Sequence, residues 1–431
     1  MDTSGFLRVH DLNLISNIGH HWQSFSAGID RAHRTIGIRS SDGLLAAQGI
    51  QPDGGCAPSA AQSSRLQLFG PIFGAGLRAT DRSGIFARHR NQFARAAQNF
   101  YHMGLRCKTV SRNTLANANR VRPWEVFADL AHHLIKTART LYADEPASAD
   151  LNALMGATVY ALDSTTIDLC LSLFNWAPFR STKAAIKLHT LIDLKGSIPS
   201  FIHISDGKMN DVKVLDLLCE QGYIEAGAFY VMDKAYVDFK RLYNLHTARA
   251  FFVTRAKSNM QADPIRSFPI GDEVGLVSDQ HVQLTGTQSS ARYPEALRLI
   301  KFTDAETGKT FEFLTNNFTL PALTVCALYK QRWQVELFFK WIKQHLRIKA
   351  FYGTTENAVK TQIWVAIATY VSIAIMKKRL NLKHSLYEIL RVLDLNMFET
   401  ISIEALLGQT SKPSASVNLP IQQDLFPTLG H

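Results

Sequence analysis

The chain has 431 residues, enough for two or three domains with a substantial apolar core, and its formal net charge is +11 at pH 7. An excess of base of this size favours a polyanionic partner. The five cysteines include no Cys-x-x-Cys pair, so the sequence indicates neither a zinc site nor a disulfide framework. The N-terminus has no basic-then-apolar signal segment, and the longest apolar run, residues 363–376, is short for a membrane span. We expect a cytoplasmic protein with no membrane partner.

Residues 1–97 differ in composition from the rest of the chain. Residues 1–95 hold 12 of the 25 glycines but no lysine and no glutamate, and no helical or strand period persists there. We predict that this segment is disordered or translated out of frame. With allowed codons, the nucleotides for residues 79–93 shifted by one base can encode QLTDRESLRDIETSL, an amphipathic peptide with balanced charges.

Residues 98–150 are predicted to be an N-terminal helical region, with one helix from 123 to about 142. The next part alternates between strand and helix patterns. Strands are predicted at 158–162, 185–194, 198–204, 228–232 and 250–254, and helices at 211–221 and 237–247. The first three strands are typical of an antiparallel meander. Three strands, helix, strand, helix, strand is the order of a ribonuclease-H-like sheet.

The predicted fold class is therefore α/β. A ribonuclease-H-like domain is expected over residues 151–259 and 314–380, interrupted by a β-rich insertion at 260–313 before the next long helix. Residues 381–408 are expected to form a C-terminal helical region, and residues 409–431 a disordered, Ser/Pro-rich tail.

A single amphipathic helix is predicted over residues 329–349. Its apolar face consists of Leu328, Val335, Phe338, Phe339, Ile342 and Leu346. Its polar face is a basic stripe around one acid, Glu336, and comprises Lys330, Arg332, Lys340, Lys343, Arg347 and Lys349. One interpretation is an ordinary solvated face with Arg332 and Glu336 as a surface ion pair. The other is a metal ligand surrounded by phosphate-binding groups.

Two predicted strands each end in an aspartate, Asp163 and Asp233. Either residue alone is typical of a turn or a helix cap. Together with Glu336 they provide three carboxylates from two strands and a helix, which is the donor set that two hard divalent cations need. Two such ions roughly 4 Å apart can activate a hydroxyl and stabilise a leaving oxygen. No Gly-x-x-x-x-Gly-Lys-Ser/Thr loop is present, so ATP is not indicated.

These motifs resemble those of the insertion-sequence DDE transposases, in the IS-four family whose glutamate helix bears a Tyr-x₂-Arg-x₃-Glu-x₆-Lys signature. The signature residues here are Tyr329, Arg332, Glu336 and Lys343, with each spacing met. The first aspartate motif of the family resembles residues 161–168, ALDSTTID, and the second matches residues 233–236, DKAY. The resemblance extends from about residue 98 to about residue 395.

The resemblance implies a metal-dependent DNA transposase that nicks element ends and joins 3′ hydroxyls to target DNA. Asp163, Asp233 and Glu336 would be the catalytic metal ligands, holding two Mg²⁺ (or Mn²⁺) ions per active site. The expected DNA and phosphate contacts are Tyr329, Arg332, Lys343, Trp333, Arg347 and Lys340. Trp333 is a candidate for stacking an extruded base, with an ordinary interface aromatic as an equal alternative. The expected partners are double-stranded DNA, as terminal inverted repeats and target, and a second copy in a homodimer on DNA.

Two rival functions remain open on the sequence. A decayed transposase would act only as a DNA-binding protein, and the unusual N-terminal segment favours it. A ribonuclease-H-like nuclease would cut DNA without joining strands, and strand-transfer products on a plasmid target would distinguish it from a transposase. Lys183 and Lys187 are candidate DNA contacts, although solvated lysines on a strand are the default interpretation.

Overall fold

The computed structural model describes residues 117, 119–145, 156–181, 183–270, 274–345, 351 and 353–396. The predictions for residues 1–97 and 409–431 lie outside this part of the chain, as do those for Leu346 and Arg347.

The described residues form a mixed α/β structure with one large sheet. Its strands are β1 Val159–Leu169, β2 Pro178–Arg180, β3 Lys183–Asp193, β4 Ile198–Asp206, β5 Phe229–Met232, β6 Phe251–Arg255, β7 Ala262–Ser267, β8 Leu276–Leu284, β9 Leu297–Thr303 and β10 Thr310–Thr315. Its helices are α1 Glu125–Tyr142, α2 Val214–Glu220, α3 Phe239–Thr247, α4 Thr287–Arg292, α5 Ala322–Gln331, α6 Trp333–His345, α7 Glu356–Arg379 and α8 Leu386–Asn396.

The strand order is β2-β3-β1-β5-β6-β10-β9-β8-β7, with β4 also paired to β3. Strands β1, β3 and β4 are antiparallel, which confirms the predicted meander. Strands β1, β5 and β6 run parallel, because α2 and α3 carry the chain back between them. The predicted order of strands and helices through residue 255 is therefore present.

Side chains alternate between the two faces of the sheet, and each face is covered by a different set of helices. Ala161 and Ile167 of β1 belong to a core cluster shared with α1, α6 and α7, whereas Tyr160 and Leu162 pack with α2 and α3. We call these the α6 face and the α2 face. Odd-numbered residues of β1 thus point to the α6 face and even-numbered residues to the α2 face.

The segment predicted as a β-rich insertion continues the same sheet, since β10 pairs antiparallel with β6. A buried ion pair joins its strands: Arg298 donates to Asp279 through Nε at 2.8 Å and Nη2 at 2.6 Å. The same guanidinium donates to the Leu320 carbonyl at 2.6 Å, directly before α5. This contact fixes the start of α5 relative to the sheet.

Helix α7 is long and apolar enough to cross a membrane, but 83% of its apolar window is buried inside the fold. The Tyr142 hydroxyl at the end of α1 donates to the Ala374 carbonyl of this helix at 3.0 Å. Burial of this extent is that of a core helix and agrees with the sequence analysis, in which residues 363–376 are short for a membrane span.

Two predictions about local structure are wrong. Strand β1 does not end at Asp163 but continues to Leu169, because β3 pairs with it as far as Leu169↔Ala184 after β5 has stopped. The predicted single helix over 329–349 is two helices, α5 and α6, separated at Arg332. The Arg332 amide donates to the Tyr329 carbonyl at 3.1 Å, and this i−3 bond tightens the backbone by one residue.

His189 lies at the centre of β3 with its side chain fully buried. Burial lowers the pKa of His189 to about 4; Lys187 and His203 act in the same direction, and Asp211 opposes them. Nε2 of His189 bonds the Ser205 hydroxyl at 2.9 Å. The ring is therefore neutral in the folded protein at pH 7.

A neutral buried histidine makes stability depend on pH. The unfolded chain takes up this proton near pH 6.5 and the folded chain only near pH 4, so stability is lost as pH falls through this window. We expect His189→Gln to reduce this pH-dependent loss of unfolding free energy by up to roughly 3 kcal/mol. The measurement is urea unfolding at pH 7, 5.5 and 4. The exposed His133→Gln is the control, and equal pH slopes in wild type and His189→Gln would contradict the prediction.

Candidate active site

The sheet places Asp163 and Asp233 side by side, at the end of the ladder between β1 and β5. The parallel pairing of β1 with β5 ends at Leu162↔Met232, so the next residue of each strand is an aspartate. Ala161 and Val231, two residues earlier, both face the helices of the α6 face. By alternation, both carboxylates point to that face as well.

The junction of α5 and α6 lies over these aspartates. Arg332, at the junction, donates through Nη1 to Asp163 Oδ2 at 2.6 Å and through Nη2 to Glu336 Oε1 at 2.6 Å. Its guanidinium therefore bridges a carboxylate of the sheet and a carboxylate of α6. The side chains of Arg332, Asp163 and Glu336 are only 17%, 19% and 33% exposed, so little water screens these pairs. The interpretation of Arg332 and Glu336 as a surface pair is not supported.

Asp233 has its own set of partners. Arg255 Nη2 donates to Asp233 Oδ1 at 2.9 Å, and the Tyr329 hydroxyl donates to the same oxygen at 3.1 Å. The Tyr329 ring lies near two guanidinium groups, with Arg332 Cζ 5.8 Å and Arg255 Cζ 5.9 Å from its centroid. Such cation–π contacts fix the ring between the two arginines.

Arg255 is a site residue that the sequence reasoning missed. It is the last residue of β6, the strand beside β5, and it follows Val253 by two positions. The sequence carried a usable signal, because a charged residue at the carboxyl end of a buried strand falls at the edge where ligands collect.

The electrostatics of the two aspartates differ. Burial raises the pKa of Asp163 to about 6, and the charges of Glu336 and Asp233 act in the same direction. The Ser164 amide and Arg332 oppose this increase without cancelling it. The three carboxylates thus lie near enough to repel one another, which is the situation in which a bound cation is most favourable.

The pKa of Asp233 moves the other way. Burial would raise it, but the Lys234 amide, Arg255 and Tyr329 together outweigh burial, and the pKa is lowered. Asp233 is therefore fully ionised at neutral pH and can accept further hydrogen bonds or a cation.

These residues fit a divalent metal as a donor set, with one condition. Asp163 and Glu336 already converge on a single positive group, Arg332, which lies where a shared cation would bind them. Among the described residues, no cluster of three or more His, Cys, Asp or Glu side chains is close enough to hold an ion. Joint coordination therefore requires a local rearrangement in which the carboxylates approach one another and Arg332 leaves the space between Asp163 and Glu336.

The other predicted contact residues occupy varied positions. Lys343 lies beside β1 rather than in the carboxylate cluster, and it donates to Thr165 Oγ1 at 2.5 Å and to the Thr166 carbonyl at 3.0 Å. Trp333 is 55% exposed at the start of α6. Lys340 and Lys183 are exposed, whereas Lys187 is partly buried and donates to Asp211 Oδ1 at 3.1 Å. Lys187 thus faces the α2 face, away from the carboxylates.

Comparison with known proteins defines the class. The profile of the family described as "Transposase DDE domain" matches residues 155–372, from the start of β1 into α7. This range is half of the chain and contains Asp163, Asp233 and Glu336. The chain therefore belongs to the transposase DDE domain family, and it is a DNA transposase of the insertion-sequence type.

Individual relatives agree. The chain is 34% identical over 289 residues to a protein of Sinorhizobium fredii named as the transposase y4zB, covering 65% of this chain and 75% of that protein. It is 32% identical over 211 residues to a Geobacillus stearothermophilus protein named as a transposase for insertion sequence element IS5377, covering 49% and 54%. A solved piggyBac transposase synaptic complex with hairpin DNA has a TM-score of 0.47 at 11% identity, covering 89% and 78%, which is too distant to support any conclusion.

Proposed function

We propose that this enzyme cleaves DNA at the ends of its element and joins the 3′ hydroxyls to target DNA, using Asp163, Asp233 and Glu336 as ligands for two Mg²⁺ or Mn²⁺ ions. The observation that carries the proposal is that residues of the α5–α6 junction contact all three acids: Arg332 bridges Asp163 and Glu336, and Tyr329 donates to Asp233. Bound divalent ions supply activation of the attacking hydroxyl and stabilisation of the leaving oxygen.

The proposed fold is ribonuclease-H-like. Its support is the order of three antiparallel strands followed by two parallel ones, with helices on both faces of the sheet. The catalytic domain is assigned to residues 151–259 and 314–380, with 260–313 as a β-rich insertion. The regions 98–150 and 381–408 are assigned to flanking helices.

The chain's own residues would bind and orient the DNA. Arg332 and Tyr329 lie at the carboxylates and would contact the phosphate near the cleaved bond, Arg332 by turning from Asp163 and Glu336 to the phosphate oxygens. Lys343 and Lys340 of α6 would contribute positive charge there, and so would Arg347, which lies outside the described residues. Trp333, exposed beside Arg332, is the candidate for stacking on a base.

The partners and the location are part of the proposal. Terminal inverted repeats and target DNA are the expected substrates, bound by a homodimer in the cytoplasm. Family membership favours a transposase over a DNA-binding relic, and the presence of all three carboxylates supports retained chemistry. A ribonuclease-H-like nuclease without joining activity is the second candidate, and an assay for strand transfer into a plasmid separates the two.

The first test concerns the three acids. Asp163→Asn, Asp233→Asn and Glu336→Gln should each abolish Mg²⁺-dependent end cleavage, because each removes one anionic ligand from a shared site. DNA binding should persist, since the basic residues of α6 are unchanged. The assay is cleavage of a duplex carrying the inverted repeat, alongside a gel-shift measurement. Asp168→Asn, at an exposed aspartate on the same strand, is the control. Wild-type cleavage by any one of the three variants removes that residue from the site.

The second test concerns Arg332. Arg332→Gln should increase the Mn²⁺ affinity of the DNA-free protein by about tenfold or more, because it removes the positive charge that competes for Asp163 and Glu336. Isothermal titration with Mn²⁺ measures this directly. Arg241→Gln is the matched control, since Arg241 also bridges two aspartates, Asp216 and Asp238, but away from the site. Unchanged or weaker Mn²⁺ binding in Arg332→Gln would show that Arg332 does not compete with the metal.

The third test concerns Lys343. Lys343→Ala should flatten the dependence of log K on log salt for DNA binding by roughly one unit, because one phosphate contact and its counterion release are lost. The measurement is fluorescence anisotropy with an end duplex across salt concentrations. Lys309→Ala, at an exposed lysine between β9 and β10, should leave the slope unchanged. An unchanged slope for Lys343→Ala would show that Lys343 contacts no phosphate and serves only to hold β1.

A further inference from the structure

The segment of β1 that carries Asp163 has a strand neighbour on only one side. Strand β5 stops at Leu162↔Met232, and from Asp163 to Leu169 the pairing is with β3 alone. A strand held by a single ladder is easier to displace than one held by two. Other contacts must therefore fix the position of Asp163 to the precision that a metal ligand needs.

One such contact comes from the α2 face, behind Asp163. Ser164 points to this face, and its hydroxyl donates to Asp211 Oδ1 at 2.7 Å. The same oxygen accepts from Lys187 Nζ of β3 at 3.1 Å, and Lys187 also donates to the Met209 carbonyl at 2.8 Å. Asp211 thus links β1 to β3 from outside the sheet.

The register makes this link specific. Ser164 is paired with His189 and Thr166 with Lys187, so the residues that contact Asp211 are neighbours across the β1–β3 ladder. Asp211 begins a short 3₁₀ helix, and Asn210 caps that helix by accepting from the Val212 amide at 3.3 Å. The carboxylate is therefore held by a capped turn and not by a loose loop.

Two further buried polar side chains lie around Asp211. The Tyr236 side chain is 1% exposed, and its hydroxyl lies close to Ser164 and Asp211. Nδ1 of the fully buried His189 has no hydrogen-bond partner. Nδ1 lies 3.8 Å from Asp211 Oδ1. A buried polar atom without a partner costs free energy, so its position beside Asp211 calls for an explanation.

On the α6 face the same segment is held by Lys343, through Thr165 Oγ1 and the Thr166 carbonyl. The residues on both sides of the sheet therefore anchor positions 164–166 directly after Asp163.

We propose that Asp211 is a positioning residue for the transposition reaction, holding Asp163 in place through Ser164. This proposal rests on the proposed role of Asp163 as a metal ligand. Asp211 itself touches neither metal nor DNA in this assignment. Its contribution is to reduce the freedom of a one-sided strand, so that the Asp163 carboxylate stays aligned with Asp233 and Glu336.

The test compares variants in end cleavage. Asp211→Ala and Ser164→Ala should each lower the rate at saturating DNA by about 10–100-fold, the range for loss of a residue that orients a ligand. KM for the end duplex should be unchanged. The double variant should be no slower than the slower single variant, because both changes break one hydrogen bond. Asp211→Asn keeps an acceptor oxygen for Ser164 and should restore most of the rate.

The control is Asp206→Asn. Asp206 is the last residue of β4, before the segment that carries Asp211, and it accepts from the Lys208 and Met209 amides. Its side chain makes no hydrogen bond or ion pair to β1 among the described residues. Its rate should stay within about twofold of wild type. Mn²⁺ titration of the DNA complex gives a second readout, in which Asp211→Ala should bind about tenfold more weakly.

Each other outcome counts against the proposal. The proposal is overturned if Asp211→Ala cleaves at the wild-type rate or if the effects of the two changes add in the double variant. It is also overturned if the loss of rate merely follows the loss of folded protein measured by circular dichroism. If Asp211→Ala does not fold, the smaller change Ser164→Ala decides by the same criteria. Asp163→Asn distinguishes a failure of the proposed function from a failure of the positioning role. Cleavage by Asp163→Asn would contradict the proposed function. Loss of cleavage in Asp163→Asn, together with full activity in Ser164→Ala, would contradict the positioning role alone.

Discussion

The site depends on one guanidinium group. Arg332 joins Asp163 of the sheet to Glu336 of α6 with two bonds of 2.6 Å, in an environment with little water. Without a positive charge between them, two nearby carboxylates would repel each other and α6 would be pushed away from β1. A cation at this point therefore stabilises the approach of α6 to β1, and Arg332 supplies it here. In the proposed mechanism Asp163 and Glu336 would hold a divalent ion in that role, and Arg332 would then be available for the phosphate.

The sheet imposes the second constraint. Strand β5 ends where Asp233 begins, while β1 continues past Asp163 along β3. At this early end of β5 the α5–α6 junction contacts both aspartates, Asp233 through Tyr329 and Asp163 through Arg332. The same feature removes one ladder of hydrogen bonds from the segment that carries Asp163. Contacts from both faces, at Ser164 and at Thr165, replace part of that lost support.

Much of this was predictable from particular residues. The alternation of Ala161 and Leu162 between two cores follows from the period of a strand, and the burial of Val335, Phe338 and Ile342 follows from the period of a helix. The break at Arg332 was not predictable, since neither proline nor glycine occurs there and the turn is tightened by one backbone bond. The continuation of β1 beyond Asp163 depends on how far β3 extends beside it, which local sequence does not encode.

The sequence by itself determined which residues carry charge, the order of strands and helices, and the spacing of Tyr329, Arg332, Glu336 and Lys343 on one side of a helical segment. These are properties of local periodicity and residue chemistry. Only the tertiary structure decided that Arg332 lies between Asp163 and Glu336, that Arg255 pairs with Asp233, and that Lys187 faces away from the site to Asp211. Apart from Arg332 and Glu336, these pairs join residues at least 22 positions apart. Strand order, register and the path of α5 and α6 set their approach. Those features arise from burying the two faces of the sheet, which no single segment specifies.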